Sequence, residues 1–264
     1  MRLNYAAFGT GIPVIAVHGW TADHRLMTGC LEPLFTDRPG YHRVYPDLPG
    51  MGGSPIGDVA CSDDMLDAVD EFVTTELGDD PFLLVGDSYG GYIARGLAAR
   101  RGTQVTGLAL ICPIGYPERS RRTLPDPDVL VRTPGLLDGL DDGEAAEYAA
   151  IAVVQDPETL RRFQAEAWPG IRIADMAALD RVSARYALAE PPESGEPFTR
   201  PAVVFAGRQD AVTGYDDFYR LLDHYPRATF AVLDRAGHNL QIEQPVLFKA
   251  LMAEWLDRVA ESME

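Results

Sequence analysis

One stretch constrains this chain more than any other: the apolar run Pro81-Phe82-Leu83-Leu84-Val85 breaks off into Gly86-Asp87-Ser88-Tyr89-Gly90-Gly91. A continuous apolar run bounded by Pro81 and Gly86 predicts a short strand buried on both faces, as in a parallel sheet. A helix is predicted at once after it, over residues 89–100, with Ile93, Ala94, Leu97 and Ala98 on one stripe and Gly102 as its stop. Ser88 therefore falls on a strand-to-helix turn. Glycine is needed on both sides, because a side chain at 86 or 90 would meet the neighbouring strand or helix in so tight a reversal. Gly-x-Ser-x-Gly in that setting is a nucleophile elbow, which lifts a serine oxygen clear of the sheet at a helix N-terminus. The plain alternative is an ordinary helix start with Ser88 as its N-cap.

Bulk properties narrow what such a turn can serve. A chain of 264 residues holds one large domain, or a core with a small insertion. A net charge of -17 argues against nucleic acid or an anionic membrane as partner, since both would be repelled. No basic segment leads into an apolar stretch at the start and no apolar run reaches the length of a membrane span, so the expected location is the cytoplasm. Cys30, Cys61 and Cys112 are isolated, odd in number and without C-x-x-C spacing, which predicts reduced core residues and no metal site. Lys249 is the only lysine, and its place on an amphipathic C-terminal helix leaves no candidate for a Schiff base.

Taken in order, residues 2–8 are expected to form a hairpin with 13–17 across Gly9-Thr10-Gly11. His18-Gly19-Trp20 follows that second strand. In elbow architectures a loop so placed supplies one backbone donor of an oxyanion hole, here the Trp20 N–H, and the residue after the nucleophile supplies the other, the Tyr89 N–H. The His18 ring is expected to hold the turn rather than to move protons. A short helix over 26–35 and a strand over 41–45 lead into the glycine-rich loop 46–54. That loop lacks the Lys-Ser/Thr ending of a phosphate loop and the third glycine of a dinucleotide fingerprint, so it reads as structural and no cofactor is expected. Ser62 with Asp63 and Asp64 predicts an N-cap and acidic first turn, Met65, Leu66, Val69, Phe72, Val73 and Leu77 the helix, and Gly78 its end. Residues 105–112 predict another strand. The expected fold is thus α/β, a mostly parallel central sheet with helices on both faces.

The texture changes after Cys112. Residues 113–199 show no strand pattern and are rich in Pro, Asp, Glu and Arg, with helical stretches near 144–154, 157–168 and 173–188. The expected organisation is a core of 1–112 and 200–264 interrupted by a helical insertion at 113–199. Strands resume over 202–206 and 228–233, and residues 245–259 predict a closing helix whose face is Phe248, Met252, Trp255 and Val259.

Each of the last two strands is followed by a residue type the elbow requires: Gly207-Arg208-Gln209-Asp210, then Ala236-Gly237-His238-Asn239. Loops at the carboxyl ends of an open parallel sheet share one crevice, so Ser88, Asp210 and His238 are expected to meet there. Asp216 and Asp217 are the competing aspartates, but they fall at a helix start. His24, His42 and His224 lie in polar contexts that predict solvated rings. With the order Ser, Asp, His, the chain resembles the α/β-hydrolase superfamily over essentially its whole length, the insertion matching that family's cap. The resemblance implies acyl transfer with Ser88 as nucleophile, His238 as base and Asp210 orienting the imidazole, with no cofactor or metal and a small-molecule substrate. It implies no particular substrate and no oligomeric state. Serine at the elbow separates the chain from dehalogenases and epoxide hydrolases, which use aspartate there, and His18-Gly19-Trp20-Thr21-Ala22 departs from the His-Gly-Gly-Pro-Gly loop of proline iminopeptidases.

The favoured expectation is a carboxylic-ester hydrolase for a small or medium, partly apolar substrate. The alternatives are a carbon–carbon bond hydrolase of diketone-type compounds, a lactonase or aminopeptidase, and a ligand-binding protein that retains the triad. Arginine or tryptophan lining the cap pocket, Arg185 or Trp168, would favour the carbon–carbon reaction. Tyr116, Tyr148, Phe163, Trp168 and Tyr186 offer aromatic surface in the cap. Arg119, Arg121 and Arg122 read as a solvated basic run, with a substrate carboxylate as the sharper alternative.

Overall fold

The computed structural model describes residues 1–263. Two short strands open the chain, β1 (Tyr5–Phe8) and β2 (Ile12–Val17). Asp23 caps α1 (His24–Phe35) by accepting from the Arg25 N–H, and β3 (Tyr41–Pro46) follows. Helix α2 (Ser62–Leu77) turns Met65, Leu66, Val69, Phe72 and Val73 into the core and ends at Gly78 with φ +60°. Strand β4 (Phe82–Asp87), buried throughout, runs without a gap into α3 (Ser88–Arg101), and β5 (Val105–Ile111) comes next. The segment 113–199 holds β6 (Val131–Arg132), α4 (Asp142–Ile151), β7 (Val154–Gln155), α5 (Pro157–Glu166), α6 (Trp168–Ile171) and α7 (Met176–Ser183). The chain returns through β8 (Ala202–Gly207), α8 (Asp216–Tyr219), β9 (Ala228–Leu233), α9 (Leu240–Glu243) and α10 (Pro245–Met263).

Among the described residues one sheet has seven strands in the order β1-β3-β2-β4-β5-β8-β9, parallel except for β1. The period-two rule divides its core between two faces. Ile15, Val17, Leu84, Leu108 and Val204 pack with α2 and α3. Val14, Ala16, Leu83, Val85, Ala109, Val203 and Phe205 pack with α1 and α10, where Phe248, Met252, Trp255 and Val259 form the predicted stripe. Strand order reverses between β2 and β4, and the crevice at such a switch point is where ligands settle in open α/β sheets. Cys30, Cys61 and Cys112 are buried free thiols. Among the described residues no helix is long and apolar enough to cross a membrane.

Three local expectations are corrected. The hairpin does not form: β1 pairs antiparallel with β3, from Tyr5 opposite Pro46 to Phe8 opposite Arg43, while β3 occupies the edge of β2. The turn crosses over the start of β3, with Gly11 (φ +120°) packed so closely on Gly40 that a Cβ would stand 2.1 Å from its carbonyl oxygen. Ser62 is not the N-cap of α2. Cys61 takes that position, and the Ser62 hydroxyl instead donates to Tyr186 O at 2.7 Å and lies 2.8 Å from Tyr89 Oη. The insertion is not free of strands, because β6 and β7 form a two-residue parallel pair that no sequence run announces.

Candidate active site

The site begins with backbone strain. Ser88 is the first residue of α3 and has φ +50°, in the left-handed region that costs a non-glycine residue about 1–3 kcal/mol unless its surroundings impose it. The surroundings do. A Cβ on Gly86 would lie 2.5 Å from Gly90 O, and one on Gly90 would lie 2.3 Å from His18 O and 2.4 Å from Val17 O. The helix start is thus pressed against the end of β2. Asp87, not Ser88, stands at the N-cap and makes no side-chain cap bond, which disposes of the plain helix-start reading.

Asp210 follows β8 by three residues and His238 follows β9 by five, so both loops open at the same carboxyl edge as Ser88. His238 Nε2 lies 2.9 Å from Ser88 Oγ, and His238 Nδ1 lies 2.9 Å from Asp210 Oδ2. With Nδ1–H donating to the carboxylate, Nε2 is left to accept from the serine hydroxyl. Asp210 is fully buried; its Oδ1 accepts from the Val212 and Thr213 N–H groups at 2.8 and 3.0 Å, and its Oδ2 also accepts from the Thr213 hydroxyl at 2.7 Å. Burial works against its charge, but the neighbouring His238, by charge and hydrogen bond, and the Thr213 donors hold the carboxyl below the usual range. Burial likewise opposes charge on His238; the Asp210 carboxylate, with a smaller push from Asp87, carries the imidazole above its ordinary value. Asp216 and Asp217 sit in α8, where the Asp217 carboxylate accepts from Thr123 N–H, away from the His238 ring bonds.

The loop after β2 lies beside the serine. A Cβ on Gly19 would stand 2.6 Å from Asp87 Oδ2 and 3.2 Å from Ser88 Cβ, so the peptide leading to Trp20 runs alongside Ser88. The Tyr89 N–H belongs to the first turn of α3, whose amide donors have no intrahelical acceptor. His18 is buried and holds this loop: Nδ1–H donates to Gly19 O at 2.7 Å, Nε2 accepts from Leu48 N–H at 2.9 Å, and burial pushes its pKa down. The indole of Trp20 meets the Tyr89 ring edge-on at 4.8 Å and Tyr186 at 5.4 Å. Of the aromatic residues in the insertion, Tyr186 is thus the one that reaches this loop. Tyr148, Phe163 and Trp168 instead pack among themselves with Leu160 and Ile242.

Other expectations fare differently. Arg121 stacks over Tyr116 at 4.5 Å, but Arg122 is no solvated arginine: it is half-buried and donates to Tyr116 O, Pro117 O and Val212 O at 2.9–3.0 Å, clasping the start of the insertion to the Asp210 loop. His24 is not free in solvent either; its Nδ1 and backbone N–H both engage Asp47 Oδ1, at 2.9 and 2.8 Å. Asp47 also accepts from Asn4 and Gly53, which makes it the organiser of the glycine-rich loop. Neither of two donor clusters suits a metal. Asp23, His24 and Asp47 are committed to Arg25 and to these bonds, and in Cys112, Asp210 and His238 the imidazole is already engaged at both nitrogens while burial keeps the thiol protonated.

Three participants escaped the sequence reading. Thr213 had a signal, since Asp with Thr three residues on favours a side-chain turn. Asp87 had none: it is buried beside Ser88, its Oδ1 has no hydrogen-bond partner among the described residues, and burial pushes its carboxyl up to about 7. Glu243 precedes the predicted closing helix and carries no sequence signal, yet its carboxylate accepts three backbone N–H bonds.

A mostly parallel sheet with a strained serine between strand and helix, and an imidazole and carboxylate in line behind it, defines a hydrolase fold of the elbow class. The chain belongs to the alpha/beta hydrolase family, whose profile matches residues 14–251. It is 21% identical to the pimeloyl-[acyl-carrier protein] methyl ester esterase of Legionella pneumophila, over 97% of this chain and 100% of that one. The corresponding esterase of Aeromonas hydrophila is 27% identical, over 94% and 96%. Among solved structures, an alpha/beta superfamily hydrolase from Oenococcus oeni superposes with a TM-score of 0.90 at 28% identity, covering 97% of this chain and 96% of that one.

Proposed function

We propose that this protein is a serine ester hydrolase in which Ser88 is the nucleophile, His238 the general base and then acid, and Asp210 the group that fixes the imidazole tautomer. The observation that carries the reading is the unbroken line Ser88 Oγ, His238 Nε2, His238 Nδ1, Asp210 Oδ2, with both links at 2.9 Å. Ser88 Oγ attacks the ester carbonyl as its proton passes to Nε2. The tetrahedral oxyanion takes hydrogen bonds from the Trp20 and Tyr89 N–H groups, each worth about a hundred- to a thousand-fold in rate. Collapse expels the alcohol, which takes the proton from His238, and water repeats the attack on the acyl-enzyme.

The alcohol leaves on the His238 side. The likeness to esterases named for methyl esters favours a short alcohol. Residues 113–199 act as the cap over this site, between core parts 1–112 and 200–264, and the enzyme works in the cytoplasm on a small-molecule ester. For the carbon–carbon rival, Trp168 is stacked on Phe163 with ring centroids 6.3 Å apart and Arg185 is exposed, so neither gives it support.

The test is hydrolysis of p-nitrophenyl acyl esters of graded length, and of methyl, ethyl and butyl esters of one acid, by the wild type and Ser88→Ala. Loss of at least about 10⁴-fold in Ser88→Ala, with methyl and ethyl ahead of butyl, is expected. Unchanged turnover in Ser88→Ala would overturn the assignment.

A further inference from the structure

We propose that Glu243 is a positioning residue for His238, tying the loop that carries the imidazole to the cap so that the place of the cap sets the place of the ring. The inference rests on the serine-hydrolase reading above. Glu243 is 8% exposed and, among the described residues, has no arginine, lysine or histidine partner. Its two oxygens are divided between two segments: Oε2 accepts from the Gly237 N–H at 2.5 Å, immediately before His238, and Oε1 accepts from the Val153 and Val154 N–H groups at 2.6 and 3.0 Å. The Glu243 N–H donates to Asn239 O at 3.0 Å, so α9 is a single turn that folds the carboxylate back beneath the histidine loop.

Packing makes the same connection. A Cβ on Gly237 would stand 2.6 Å from Val153 Cγ2 and 2.9 Å from Ile151 O, so cap residues 151–153 press directly on the histidine loop. From the other side Arg162 of α5 donates to Gln241 O at 2.9 Å, and Ile242 lies in the cap cluster with Tyr148, Ala152, Leu160 and Phe163. A buried carboxylate without a cation is a poor way to gain stability, because an apolar side chain would avoid its desolvation. What it does that no apolar group can is accept from donors on two segments at once. A shift of the 151–154 segment is therefore passed through Glu243 and Gly237 to a ring whose Nε2 stands 2.9 Å from Ser88 Oγ.

Glu243→Gln keeps the shape but turns one acceptor into an N–H₂ facing an N–H, on either the cap or the loop side. Glu243→Asp keeps the charge but is one methylene too short to reach both segments. Three readouts are taken on both variants and the wild type: turnover per site titrated with a fluorophosphonate, KM for a p-nitrophenyl ester, and the low-field proton resonance of His238 Nδ1–H. A fall of about 10- to 100-fold in kcat per titrated site, KM within about 3-fold, and a shifted or broadened resonance are expected, as for a group displaced by a fraction of an ångström. Fewer titratable sites or a lower melting temperature, with the surviving sites at full rate and the resonance unmoved, would make Glu243 a merely structural residue and overturn the proposal. A wild type that fails to react with the fluorophosphonate would defeat the serine-hydrolase reading instead, and the resonance comparison would still decide whether Glu243 holds His238.

Discussion

At the residue scale the site has two carboxyls with opposite fates. Asp210 is buried but receives donors from Val212, Thr213 and His238, and its pKa falls. Asp87 is buried with an orphaned oxygen, and its pKa rises to about 7. Because His238 is pushed above its ordinary value, the acid limb of kcat/KM is expected with a midpoint above 6.5. Asp87→Asn removes one of the negative groups that raise it. The limb should then move to lower pH with the plateau little changed, as a pH–rate profile on a p-nitrophenyl ester would read; an unmoved limb would mean that Asp87 exerts no field on the imidazole. The same carboxyl has a stability consequence whose sign is fixed by its raised pKa: its contribution is fully present below about pH 4, where it is protonated folded or unfolded, and is lost as pH rises to about 7. Asp87→Asn should accordingly stabilise the fold more at pH 8 than at pH 4.5, by on the order of 4 kcal/mol at most, as read by denaturant unfolding.

At the scale of elements, the strand-to-helix switch at Ser88 was legible because its cause is local: Phe82 to Val85 need burial on both faces, and Gly86 and Gly90 each face backbone at 2.3–2.5 Å. The partner of β1 was not legible, since adjacency in sequence favours a hairpin while the pairing with β3 depends on a crossing at Gly11 and Gly40 that only the folded chain contains. Ser62 was misread for a similar reason, its hydroxyl being claimed by Tyr186 O and Tyr89 Oη from distant elements. Gly19 gives the element-scale prediction. In Gly19→Ala the new methyl meets Asp87 Oδ2 at 2.6 Å and Ser88 Cβ at 3.2 Å, so the loop carrying the Trp20 N–H must retreat. A loss of about 10²-fold in kcat is expected, the scale of one oxyanion donor. Gly102→Ala, with φ +54° but no heavy atom within 4 Å, should cost only about 1 kcal/mol and leave kcat alone.

At the scale of the whole molecule, the segment proposed as the cap is fastened to the core at both ends. Arg122 clasps its start, and near its return Glu193 takes a bidentate bond from the buried Arg95 of α3, 2.6 Å on each oxygen, and a further bond from the Tyr225 hydroxyl. Arg95 also donates to Ile114 O and lies over the Phe218 ring at 5.3 Å. Removing one partner strands a charge in the interior. Glu193→Ala is expected to cost about 3–5 kcal/mol, read by denaturant unfolding, whereas the double change Arg95→Met with Glu193→Met should recover most of that loss. Equal losses in the single and double variants would mean that packing, not the stranded charge, carries the effect.

What the sequence by itself determined is whatever depends on neighbours in the chain: the buried strand that stops at Gly86, the helix that follows the turn at Ser88, the helix ends at Gly78 and Gly102, and Asp210 and His238 after the last two strands. The tertiary structure alone decided everything that depends on which distant segments share a surface. It turned Tyr186 rather than Trp168 toward Trp20, buried Asp87 with its Oδ1 unpartnered among the described residues, and set the Glu243 carboxylate between Val153 and Gly237. The physical reason is that periodicity and turn chemistry act over a few residues, whereas desolvation and hydrogen-bond satisfaction are settled only once the chain has closed on itself.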